Sequence, residues 1–224
     1  MNPVCELRGV SKSYHGRSII SNMDLKVLEG EMVAITGKSG SGKSTLLNIF
    51  GLLEFADHGT VHLFGEDCLR VRSKEASHLL RLRLGYLFQN YALIDNETVD
   101  YNLRIAQAYT KGSRKKKQEI KVEALRRVGL ANAGNRKVYE LSGGEQQRVA
   151  IARLLLKPCD LVLADEPTGS LDAVNRDEVL RMLHDLNDTG KTIIIVTHDE
   201  IVAGTCTRVI QLPDPRGAEE EGKG

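Results

Sequence analysis

The chain has 224 residues, 41% of them hydrophobic and 27% charged, a balance that excludes collagen-like and intrinsically disordered classes. A chain of this length buries roughly 70–75% of its unfolded surface and needs neither disulfides nor a structural metal to hold a core. The formal net charge is +1 and no apolar run approaches the roughly 18 residues of a membrane span, so neither a nucleic-acid partner nor a direct lipid span is expected. The first residues lack the basic-then-apolar order of a secretory signal. Cys5, Cys68, Cys159 and Cys206 are scattered without a C-x-x-C pair, which reads as reduced thiols in a cytosolic protein rather than a zinc or redox centre.

Short β-branched runs alternate with longer helical patterns, which predicts an α/β chain with a largely parallel sheet. In chain order, a strand at 32–36 leads into a helix after Gly42, a strand lies at 60–64, and a helix precedes a strand at 84–88. Helices follow at 99–109, 115–128 and 145–156. A strand at 160–164, a helix at 173–186 and strands at 192–196 and 208–212 complete the pattern. Gly30, Gly51, Gly59, Gly129 and Gly190 are expected at turns or helix C-caps. Residues 91–157 carry helical periodicity and little strand character, so they read as a helical insertion. We therefore expect one domain over 1–224, with a core at about 1–89 and 158–215, a helical subdomain at about 90–157 and a flexible tail at 216–224. The basic cluster from Lys111 to Lys117 reads as a solvated loop entering a surface helix.

Three motifs carry chemistry. Gly37-Lys38-Ser39-Gly40-Ser41-Gly42-Lys43-Ser44 fits G-x-x-x-x-G-K-[ST] between a strand and a helix that opens at Thr45. Its glycines let backbone N–H groups curl around phosphates at a helix N-terminus. Lys43 is then placed to bridge the β- and γ-phosphates and the Ser44 hydroxyl to ligate Mg²⁺. The apolar run Leu161-Val162-Leu163-Ala164 ends in Asp165 and Glu166, at the strand end where parallel sheets collect ligands. Asp165 would hold Mg²⁺ through water, and Glu166 would polarise the attacking water. Leu141-Ser142-Gly143-Gly144-Glu145 forms a capping box, with Ser142 and Glu145 three apart. It leaves Gly143 and Gly144 as a second bare anion site, and two phosphate cradles in one small domain make sense if each faces the other across a dimer.

At these residues the sequence resembles the ATP-binding subunit of ATP-binding cassette (ABC) transporters, over nearly the whole chain. The resemblance implies a P-loop nucleotide-binding core, with an antiparallel β subdomain near the N-terminus and an inserted helical subdomain. In that family the segment matching Ser142, Gly143, Gly144 and Glu145 contacts the γ-phosphate held by a partner, and Glu145 stands where glutamine is commoner. Tyr14 matches the aromatic residue that stacks on adenine. Gln89 matches the glutamine that senses Mg²⁺ and the γ-phosphate. Asp172, within Ser170-Leu171-Asp172, matches the loop communicating between sites, and His198 the switch histidine at the γ-phosphate. The implied protein is an ATP- and Mg²⁺-dependent ATPase that pairs with a second copy of itself around two nucleotides. It would drive a separate transmembrane permease from the cytoplasmic face of the membrane.

Residues 44–49 and 165–172 look like the branch handling lipoprotein release, macrolide efflux and antimicrobial-peptide export. Residues 56–58 and 95–97 resemble a subset linked to bacteriocin export. A soluble ABC ATPase acting on DNA or ribosomes, and a P-loop small-molecule kinase outside the family, remain as alternatives. The first usually carries long insertions or two cassettes; the second would have no need of the Ser142–Gly144 cradle.

Overall fold

Runs such as Ile193–Val196, apolar at every position, suit strands covered on both faces. The computed structural model describes residues 3–67, 73–169 and 171–213, and it places every such run at the centre of one sheet. Cys68, Ser170 and the tail at 216–224 lie outside the described residues. In chain order the elements are β1 (Pro3–Tyr14), β2 (Arg17–Leu28), β3 (Met32–Thr36), α1 (Lys43–Phe50), β4 (His58–Leu63), β5 (Glu66–Asp67), α2 (Lys74–Leu82) and β6 (Leu84–Leu87). They continue with α3 (Val99–Ala106), α4 (Arg114–Arg127), α5 (Gly143–Leu156), β7 (Leu161–Asp165), α6 (Ala173–Asp188), β8 (Thr192–Val196), α7 (Glu200–Gly204) and β9 (Arg208–Gln211).

Five strands form an all-parallel sheet in the order β6-β7-β8-β3-β9, and an antiparallel sheet runs β2-β1-β4-β5. Alternate residues of each parallel strand enter different cores, as a two-residue side-chain period requires. Ile193 and Ile195 pack with Met32, Val162 and the apolar faces of α3, α4, α5 and α6. Ile194 and Val196 pack with Val33, Ile35, α1, α2 and the antiparallel sheet. The helices of 90–157 thus share one core with a face of the sheet.

The N-terminal hairpin turns at His15 and Gly16, both with positive φ (50° and 78°), the geometry that matches strand twist in a two-residue turn. The antiparallel β subdomain expected from the family resemblance includes this hairpin, whose strands show no alternating pattern of their own. Gly59, expected at a turn, lies inside β4. There a Cβ would fall 2.5 Å from the Arg8 carbonyl oxygen, so a side chain is excluded by the backbone of β1. The third helix stops at Ala106, three residues short of the expected end. The Gln107 side chain donates instead to the Lys117 carbonyl at 2.8 Å, and the Gln107 backbone carbonyl accepts from Lys117 Nζ at 3.0 Å.

Side chains cap α2 through α7 at Ser73, Thr98, Ser113, Ser142, Asp172 and Asp199, each accepting a backbone N–H that a helix end leaves free. The first helix differs: Gly42 precedes it and no side chain bonds its N-terminus.

Candidate functional site

The parallel sheet decides which loops meet. Neighbouring β3 and β8 end at Thr36 and Val196, β7 ends beside β8 with Asp165 opposite Val196, and β6 lies next to β7. The loops leaving these four C-terminal edges therefore open on one side of the sheet, where ligands collect in such folds. They enclose a cavity of about 420 Å³ lined by Tyr14, Ser39, Gly40, Gly42, Lys43, Ser44, Thr45, Gln89, Glu166 and His198, together with Ile19 and Val196.

The uncapped start of α1 faces this cavity. Gly42 has φ 90°, and a Cβ on it would lie 2.8 Å from Ile19 Cγ2, so both the left-handed turn and the close passage of β2 require glycine. The Lys43 ammonium donates to the carbonyl oxygens of Gly37 at 2.8 Å and Lys38 at 2.9 Å. The Ser41 hydroxyl is buried without a partner. A loop whose cation rests on its own carbonyls, ahead of a bare helix N-terminus, is built for an anion with several acceptor oxygens.

Opposite the loop, the Ser44 hydroxyl donates to Asp165 Oδ1 at 3.3 Å. Burial pushes the Asp165 carboxyl above its ordinary range, and the adjacent Glu166 charge adds to this. A cation beside it would relieve both effects. The donors at hand are oxygens: the Ser44 hydroxyl, the Asp165 carboxylate and the Gln89 amide in the same cavity. Among the described residues no cluster of three His, Cys, Asp or Glu side chains could hold a metal unaided. Hard oxygens with a single carboxylate suit Mg²⁺, which is usually held by one or two carboxylates and by substrate phosphates. The residues present fit that ion.

Glu166 adopts φ 45°, uncommon for a side chain of this size. Its N–H donates to the Val196 carbonyl at 2.9 Å. One carboxylate oxygen lies 2.7 Å from His198 Nδ1, and the other accepts from the Thr197 hydroxyl at 3.3 Å. Thr197 is fully buried, and its N–H donates to Ile35 at the end of β3. Tyr14, next to the hairpin tip, is 38% exposed and lines the cavity. Its hydroxyl donates to Glu54 and Lys12 Nζ lies 5.3 Å from the ring centroid. Burial chiefly, and then the Glu54 hydrogen bond, push the Tyr14 phenol up.

Ser142, Gly143, Gly144, Glu145 and Asp172 do not line this cavity. They sit at the N-termini of α5 and α6. The expected capping box is present: Ser142 Oγ accepts from the Glu145 N–H at 3.3 Å and Glu145 Oε2 accepts from the Ser142 N–H at 2.8 Å. Asp172 caps α6 through the Asn175 N–H at 2.9 Å. Sequence reasoning missed Ile19, Val196, Thr197 and Arg136, which pairs with Glu145 at 2.8 Å. Thr197 could have been found beside His198, at the end of a predicted strand; the others depend on contacts no local pattern records.

Fold and cavity together define a P-loop nucleotide-binding domain. Residues 20–169 match the family model described as ABC transporter. The chain is 41% identical over 218 residues to the macrolide export ATP-binding/permease protein MacB of Escherichia coli, and equally to that of Shigella flexneri. The match takes in 96% of this chain and 34% of each relative, so the chain spans about a third of their length. Among solved structures it is similar to the ATP-binding cassette MJ0796 in a dimeric post-hydrolysis state bound to ADP and Pi, with TM-score 0.85, 35% identity, and 94% and 95% of the two chains covered. The chain cbiO1 from Clostridium perfringens, part of the ABC transporter complex cbiONQ, shares the fold at TM-score 0.84 and 24% identity, covering 100% of this chain and 93% of its own. The chain belongs to the ABC transporter family and is an ATP-binding cassette of the ATPase class. The kinase alternative falls with that assignment.

Proposed function

We propose that this chain hydrolyses ATP to power a membrane permease that exports a peptide, a lipoprotein or an antimicrobial compound, acting from the cytoplasmic face of the membrane. The observation that carries the reading is the convergence of Lys43, Ser44, Gln89, Asp165, Glu166 and His198 at the C-terminal edges of β3, β6, β7 and β8. The export branch is supported by the identity to macrolide exporters.

In this reading Tyr14 stacks on adenine, while Gly40, Gly42 and the N–H groups opening α1 bind the phosphates. Lys43 leaves its two carbonyls for the β- and γ-phosphate oxygens. Ser44, Asp165 and Gln89 would hold Mg²⁺, which would supply positive charge to the phosphate oxygens. Glu166, fixed by His198 and Thr197, accepts a proton from the water in line with the γ-phosphate, and His198 steadies that phosphate. Ser142, Gly143, Gly144 and Glu145 of a second copy close over the nucleotide, with Asp172 at the contact between copies. The dimeric state of the similar cassette supports this pairing.

A second cavity of about 530 Å³, lined by Leu80, Tyr86, Phe88, Ile105 and Tyr109 and rimmed by Arg81, Arg153 and Lys157, adjoins the loop carrying Gln89. We assign it to the permease, because Phe88 and Ala92 in its wall flank the residue that meets the nucleotide site.

Lys43→Ala tests the reading. It removes the charge that offsets the phosphates, and ATP hydrolysis by the purified chain is expected to vanish while nucleotide affinity falls sharply. Mg²⁺-dependent turnover close to that of the parent would refute the assignment.

A further inference from the structure

A carboxylate is out of place in a phosphate cradle, and Glu145 stands at the N-terminal end of α5 beside Ser142, Gly143 and Gly144. Unscreened, its charge would oppose the phosphates of a second copy. We propose that Arg136 is a positioning residue whose guanidinium cancels the Glu145 charge, so that the cradle can receive a partner's phosphates. This rests on the two-copy reading above.

The geometry uses both ends of the pair. Glu145 Oε2 accepts from the Ser142 N–H at 2.8 Å, which closes the capping box. Its other oxygen accepts from Arg136 Nη1 at 2.8 Å, and Arg136 Nη2 donates to the Glu140 carbonyl at 2.7 Å. One guanidinium thus ties the chain entering the cradle to the carboxylate that caps the helix. Arg136 has its own anchor, for its carbonyl accepts from the Val99 N–H at 2.9 Å at the start of α3. The nearby Glu140 carboxylate is turned back onto the Lys137 N–H at 3.0 Å and does not compete.

The Ser142 N–H and then Arg136 hold the Glu145 carboxyl below its ordinary range, so the charge is present at neutral pH and needs an offset. A glutamine caps a helix in the same way without any charge. The Glu145–Arg136 pair is therefore a neutral substitute for one glutamine. The Arg136 side chain is 41% exposed, and exposed pairs add little to folding. Its loss should leave the fold intact and act on the cradle.

The test measures ATP-dependent dimerisation of the Glu166→Gln chain by size-exclusion chromatography with light scattering, in ATP and Mg²⁺. It also measures turnover of the matching proteins with Glu166 retained. Arg136→Ala is expected to raise the protein concentration at half-dimerisation at least tenfold and to lower turnover at least tenfold. Binding of a fluorescent ATP analogue to the single chain should stay unchanged, since the cradle acts on the partner's nucleotide. Arg136→Lys, which keeps the charge, should stay within about threefold of the parent. Adding Glu145→Gln to Arg136→Ala should restore dimerisation and turnover to the same range, which a merely structural role could not explain. Parent-like pairing of Arg136→Ala, or a double variant as impaired as the single, would overturn the proposal. If the Glu166→Gln chain binds ATP yet stays monomeric before any change at Arg136, the two-copy reading itself fails and takes this proposal with it.

Discussion

Replacing Glu166 by glutamine separates the chemistry of the site from its architecture. The glutamine oxygen can still accept from the Thr197 hydroxyl, and its amide can donate to His198 Nδ1, the two contacts that fix the carboxylate at 3.3 and 2.7 Å. The left-handed backbone at 45° is as costly for glutamine as for glutamate, so folding stability should change by no more than about 1 kcal/mol. What is lost is the proton acceptor, a contribution of about 100- to 10,000-fold in rate. That corresponds to about 3–5 kcal/mol of barrier. Lys43, Ser44 and the loop N–H groups are untouched, so ATP affinity should hold. Removing a negative charge beside the triphosphate should also favour the closed pair. Phosphate release at saturating ATP reads the first effect, and light scattering in ATP and then in ADP reads the second. The expected result is a variant almost without turnover that is dimeric with ATP and monomeric with ADP. Turnover within tenfold of the parent would refute Glu166 as the proton acceptor, whatever the state of association.

Two further outcomes follow from contacts already described. Tyr14→Ala should weaken ATP binding by about 1–3 kcal/mol, the usual weight of base–aromatic stacking, while Tyr14→Phe loses only the hydrogen bond to Glu54 and should keep most of the affinity; an unchanged dissociation constant for the alanine variant in titration calorimetry would make Tyr14 a packing residue. The depressed Glu145 carboxyl gives a pH effect of defined sign: its stabilisation is complete above the ordinary glutamate pKa of about 4.3 and is lost as pH falls through the lower folded value. Acid unfolding of Glu145→Gln should lack that loss, and coincident melting-temperature profiles of parent and variant between neutral pH and pH 3 would count against it.

The parallel sheet was legible because its three central strands, β7, β8 and β3, are nearly unbroken apolar runs, and covering both faces leaves no other use for them. The first strands were not. In β2 only Ile20 and Val27 are buried, and β1 shifts register at four points along β2, so the two-residue alternation that marks a half-buried strand is broken repeatedly. The short α7 shows only its Asp199 cap, too little to distinguish from a turn. The same division holds in the site. The loop from Gly37 to Ser44 and the pair Asp165-Glu166 are contiguous, so their chemistry shows in the chain itself. Ile19 reaches the cavity only because the hairpin folds over Gly42. Arg136 matters only because a 3-10 turn at Val138–Glu140 returns it to the helix that Glu145 opens.

One feature of the packing ties the nucleotide cavity to the distant cradle. Gln147, buried on α5, donates to the Pro167 carbonyl at 2.6 Å, immediately after Glu166. The next residue, Arg148, donates to Asn175 Oδ1 and to Glu178, both at 2.9 Å. Asn175 in turn donates through its amide to Asp172 at 2.8 Å. Gly144 lies so close that a Cβ there would fall 2.4 Å from Asn175 Oδ1. Pro167 is thus bonded directly to the helix whose N-terminus is the cradle, and Asp172 reaches the same helix through Asn175 and Arg148. Each of these bonds uses a side chain on α5 or α6, so the link is as rigid as the helix packing behind it, where Val149 and Leu183 are fully buried in one core. The Gln147 bond and the Arg148–Asn175–Asp172 chain give a displacement of Glu166 a direct path to α5. Under the two-copy arrangement proposed here, the carboxylate proposed as proton acceptor in one site and the cradle serving the other are joined through α5, so each copy is placed to pass the state of its own nucleotide to its partner's.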